Sequence, residues 1–154
     1  MFDVYTVLKF LHIVFGMFWV GSAILLAVLA VRAQKASEPD ALLRFTKDAG
    51  FVGEKVLAPV SGVLFLLGVL LVLKGYPDFS DTWVLLAIVG WAVTVAIGVA
   101  VLTPQGKKLE ALLAEKPSSD PEVTAQVKKL LLVSRLDIVV LLLIVADMVF
   151  KPGL

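Results

Sequence analysis

The only histidine of the 154-residue chain, His12, stands in the apolar run FLHIVFGMFWVGSAILL. An ionisable side chain there is costly, faces protein or water, and is a functional candidate by default. Its neutral imidazole is also the strongest nitrogen ligand available for a metal or a heme iron. His12 is therefore the metal candidate, and Lys9, Trp19 and Met148 join it as cofactor-binding candidates. Met148, Lys9 or the His12 of a second copy would supply the other axial ligand. Trp19 would stack on the flat ring.

The rest of the inventory excludes more than it offers. No cysteine is present, so disulfides, iron–sulfur clusters and thiolate chemistry are absent. A single histidine also excludes a multi-heme cytochrome b and a nitrogen- or sulfur-rich metal site within one chain. No nucleophilic triad, phosphate-cradling glycine loop or nucleic-acid patch is legible. No catalytic residue is assigned, and the reading leans away from an enzyme.

Three more charges interrupt the last apolar run, Arg135, Asp137 and Asp147. On a helical wheel they point in separate directions, which suits contacts on several sides and hence a homo-oligomer or larger membrane complex. They are read as structural polar residues. Asp147 should pair with His12, Lys9 or Lys151, and Asp137 with Lys55, because a carboxylate in hydrocarbon needs a partner. Arg135 should snorkel to the headgroups.

The chain is 60% hydrophobic and 18% charged, too apolar for a soluble domain of this length. Four apolar runs, about 10–31, 56–73, 82–103 and 130–150, approach the roughly 20 residues needed to cross a bilayer as a helix. Their continuous apolarity favours helices over the alternating strands of a barrel. The expected fold is all-α, a polytopic four-transmembrane-helix bundle in one domain, 1–154. An amphipathic interfacial helix should follow a start at Ser37-Glu38-Pro39-Asp40 and lead into the second span. Thr103-Pro104-Gln105-Gly106 should end the third span, and Gly75-Tyr76-Pro77-Asp78 should turn the chain outside.

Eleven of the 14 lysines and arginines lie between the first and second runs or between the third and fourth, including Arg135. Lys9, Lys74 and Lys151 alone lie on the other face. Short basic loops stay in the cytoplasm, so both termini should be extracytoplasmic. The first run is followed, not preceded, by basic residues, so it should be retained rather than cleaved as a signal.

Along the first run, Tyr5, Lys9, His12, Gly16, Trp19, Ala23, Ala27 and Ala30 share one face. Small residues there permit close helix contact. Ala87, Gly90, Thr94 and Gly98 form a similar seam in the third run, and Ser61 and Gly68 lie on one side of the second.

Leu11-His12 with Trp19 and Gly21, Pro59 early in the second span, and the ending Asp147-Met148 then Lys151-Pro152-Gly153 resemble a bacterial family. It is an uncharacterised family of predicted four-helix integral membrane proteins, and the resemblance covers essentially the whole chain. The first-helix pattern is also similar to copper-resistance D type membrane proteins and to heme-containing, membrane-bound protoporphyrinogen oxidases. In those, a first-helix histidine handles heme or metal, which the resemblance carries over to His12. This chain has no second histidine, so a two-histidine ligand set is not reproduced. The resemblance implies the bacterial inner membrane, with lipid as the surrounding partner. The leading functional reading is a structural or accessory subunit of a membrane assembly. The alternatives are a heme- or quinone-associated redox protein using His12, and a small transporter or channel component.

Overall fold

A computed structural model describes residues 3–38, 40–75 and 77–153. Pro39 and Tyr76, expected in a helix start and an outer turn, lie outside them. Among the described residues the fold is all-α: α1 Val4–Lys35, α2 Ala41–Val52, α3 Ala58–Lys74, α4 Thr82–Ala96, α5 Thr103–Glu115 and α6 Pro121–Phe150. π turns at Gly53–Leu57 and Ile97–Leu102 join α2 to α3 and α4 to α5. The molecule is thus four long rods, and three of them are long and apolar enough to cross a membrane: Val4–Gln34, Ala41–Lys74 and Thr82–Glu115. The fourth, α6, carries Arg135, Asp137 and Asp147 through its apolar half.

The stretch before the second span is an amphipathic helix, α2, that leads into it as expected, but the boundaries of the rods differ from expectation. α2 runs through the first π turn into α3, as one helix of 34 residues. Likewise Pro104 does not end the third span; α5 extends it beyond the apolar region. Proline inside a helix lacks an N–H and crowds the carbonyl four residues back. Pro59 and Pro104 each fall two residues after a π turn, and the wider turn re-pairs the backbone, so the rods continue. Ser37 is not a cap either: Asp40 holds the position before α2.

Around the bundle α1 packs on α3 and α6, α4 packs on α6, and α3 and α4 touch more lightly. Trp91 closes that last seam. Its ring stacks on Phe65 at 4.2 Å, and its indole N–H donates to the Ser61 carbonyl at 3.2 Å.

A closed core also lies away from the apolar spans. Leu42, Leu109, Val123 and Val127 form it where α2, α5 and the start of α6 meet, with Ala33 of α1 against it. Gln126 is buried beside it and donates from its amide nitrogen to Gln105 Oε1 at 2.8 Å. By contrast α1 has no buried residue, and Phe10, Met17 and Phe150 stand well exposed. The division is physical. Apolar surface facing water is driven inward, whereas lipid tails leave it nothing to escape.

Loop chemistry fixes the ends of the rods. Asp120 caps α6 by accepting from the Glu122 N–H at 2.8 Å, with Pro121 in the first turn. Across the turn between α3 and α4, Asp78 accepts from the Ser80 N–H and hydroxyl, which holds its carboxyl below the ordinary range. Lys116 pairs with Glu122 where α5 meets α6.

Candidate functional site

His12 is directed by α1 onto α3. Its Nδ1 lies 3.2 Å from the Leu64 carbonyl oxygen. A carbonyl only accepts, so Nδ1 carries the proton, and the neutral ring keeps its lone pair on Nε2. The approach depends on Gly68, one turn beyond Leu64. A Cβ on Gly68 would stand 3.2 Å from His12 Cε1 and 3.7 Å from Nδ1. Gly16, one turn along α1, meets Leu64 in the same seam, where a Cβ would stand 3.8 Å from the leucine methyl. The small-residue face of the first helix therefore serves to seat an imidazole against a backbone.

The expected pairing of His12 with Asp147 is not what forms. The outer half of α6 follows α4 instead. A Cβ on Gly90 would fall 2.6 Å from Ile144 Cγ1, and Lys151 Nζ sits 5.1 Å from the Trp83 ring centroid. Asp147 lies between those two contacts along α6. Both of its carboxylate oxygens are buried without a hydrogen-bond partner, as is the Trp83 indole nitrogen. Lys151, the cation one turn away, is committed to the tryptophan face rather than to the carboxylate. It takes the left-handed conformation, φ 46°, and its N–H closes α6 on the Asp147 carbonyl.

The remaining candidates disperse. Lys9 is exposed, while Trp19 and Met148 are half-buried. Asp137 keeps one buried oxygen without a partner, and the expected ion pair with Lys55 is absent. Among the described residues the ion pairs are Arg44–Glu38, Lys107–Glu54 and Lys116–Glu122, all at the basic end. Arg135 is exposed and, with Arg32, borders a shallow groove of about 490 Å³ between α1 and α6. No group of three or more His, Asp or Glu able to hold a metal occurs among the described residues.

Sequence reasoning missed the Gln126–Gln105 bond and the role of Trp91, for which no local pattern exists. Gly68 was visible as a small residue beside Ser61, but nothing in the order of residues tied it to His12.

With this geometry in view, the family model for "Predicted integral membrane protein (DUF2269)" matches residues 6–152. The chain belongs to that family. The match spans His12, the α3 seam and α6 through Pro152, so these features lie within the family's own extent. No curated protein and no solved structure matches the chain.

Proposed function

We propose that this integral membrane protein spans the bilayer four times and acts as a structural or accessory subunit of a membrane assembly. One observation carries the reading: His12 and Trp91, on two of the first three spans, spend their ring N–H groups on the backbone of a neighbouring helix. His12 bonds the Leu64 carbonyl, Trp91 the Ser61 carbonyl, Ser61 the Ala58 carbonyl and Thr94 the Trp91 carbonyl. The His12 and Trp91 bonds tie α1 and α4 to α3, while the Ser61 and Thr94 hydroxyls are satisfied within their own helices; a substrate path would keep polar groups facing a cavity. The exposed apolar faces of α1 and α6 suit lipid or a neighbouring subunit, a second copy included. The basic loops favour an inner-membrane topology with both termini extracytoplasmic.

The test is extraction from native membranes in mild detergent. Comigration with other membrane proteins is the expected result, and a lone monomer throughout would sink the proposal. Reporter fusions after Gly153 and in the Ser118-Ser119 loop check the orientation; a cytoplasmic C-terminus would refute it.

A second reading is favoured by one feature. With Nδ1–H tied to a carbonyl, His12 Nε2 is poised as a ligand, the arrangement seen around metal-bound imidazoles. His12 would hold heme through this Nε2, consistent with the resemblance to heme-handling membrane proteins. Heme would supply one-electron chemistry, and His12 would orient it. A visible absorption spectrum after heme-supplemented expression decides between the readings. A colourless protein removes the heme reading, and a His12→Ala protein with an unchanged heme spectrum removes His12 from it.

A further inference from the structure

The groove between α1 and α6 has the polarity of a lipid molecule. Its α1 wall runs from Ile24 through Ala27, Val28 and Val31 to Arg32 in the last helical turn. That is eight residue steps, about 12 Å of helix. Arg135 stands on the α6 wall. One end is thus apolar and the other doubly cationic. Neither guanidinium has a carboxylate within ion-pair distance among the described residues, although Arg44, Lys107 and Lys116 nearby each do.

Depth sharpens the argument. Arg135 is 16 residues from Lys151 along α6, about 24 Å, against a hydrocarbon thickness of about 30 Å. If Lys151 marks the far headgroups, Arg135 starts about 6 Å inside the near boundary. A cation there is expensive unless its side chain reaches an anion at the interface. Among the described residues no carboxylate is paired with it, and phosphate is what lies at that level.

We infer that this groove is a binding site for an anionic phospholipid of the leaflet on the basic side. The phosphate is held between Arg32 and Arg135, and one acyl chain lies along Ile24, Ala27, Val28 and Val31. Paired arginines match phosphate by forked hydrogen bonds as well as charge, which distinguishes the site from the scattered lysines of the same face. The lipid would stitch α1 to α6 at the end opposite His12.

The experiment uses the full chain in nanodiscs made of equal parts phosphatidylglycerol and phosphatidylcholine, with retained lipid measured by native mass spectrometry. The wild-type chain should retain phosphatidylglycerol preferentially. Arg32→Gln with Arg135→Gln should weaken retention about tenfold or more, from the loss of two interfacial charges. Lys128→Gln with Lys129→Gln, which removes two charges elsewhere on the same side, should leave it unchanged. Ala27→Phe keeps both arginines but fills the groove, and should also release the lipid. Helicity and elution volume of each variant establish that it is folded. Unchanged retention in the arginine double variant overturns the proposal, as does equal loss in the lysine double variant. Retention unaffected by Ala27→Phe, or displacement by inorganic phosphate alone, would show ion binding without a seated chain and overturn it too.

Discussion

Replacing Gly68 by alanine tests whether the His12–Leu64 contact orders the bundle. The new Cβ would lie 3.2 Å from His12 Cε1, inside the optimal carbon separation of about 3.5–4.0 Å. The imidazole must then retreat by a few tenths of an ångström from a carbonyl already 3.2 Å away. A hydrogen bond between membrane helices is worth about 0.6 kcal/mol and at most about 1.7. Overpacking one methyl costs about 1–3 kcal/mol. The ring is only half-buried and can yield, so Gly68→Ala should destabilise by about 1–2 kcal/mol, near the low end of the overpacking range. Removing the ring removes the clash. In a His12→Ala background the same substitution should be neutral, or stabilising by up to about 1 kcal/mol through helix propensity. The assay is a double-mutant cycle read by thermal or denaturant unfolding in detergent, with the coupling taken from the four corners. Equal cost of Gly68→Ala with and without His12 would refute the contact as an energetic link.

Asp147→Leu should stabilise the protein by about 1–3 kcal/mol, because the carboxylate is buried without a partner and its desolvation is uncompensated; destabilisation in the same unfolding assay would refute this. Gly75→Ala should cost about 1–3 kcal/mol, since its Cβ would meet the Leu71 carbonyl oxygen at 2.8 Å, whereas Gly62→Ala on the same rod, with nothing within 4 Å, should be tolerated. The turn between α3 and α4 should loosen in acid. Asp78 is held below its ordinary value by Ser80, so its contribution is present above about pH 4 and lost as pH falls through the depressed value. Protection of the Ser80 amide against hydrogen exchange should fall over that range in the wild type and be low at every pH in Asp78→Ala; a wild-type protection factor that does not change with pH would refute the link.

The all-helical character and three long apolar helices were legible in the order of residues, because hydropathy and helical periodicity are local properties. The shared face of Gly16 and His12 was legible for the same reason, and it does form a contact seam. Continuity was not. Pro59 and Pro104 read as a start and a stop, and only the path of the chain shows π turns absorbing them. Partner choice was also tertiary. Periodicity gives the direction a side chain leaves its helix, but not which neighbour stands there. His12 found α3, where Gly68 leaves room, rather than the carboxylate of Asp147, which the register of α6 against α4 carries elsewhere. Charge pairing at long range is undetermined in sequence for the same reason. The rotation of four rods decides it, and small residues such as Gly68 and Gly90 set how closely those rods approach.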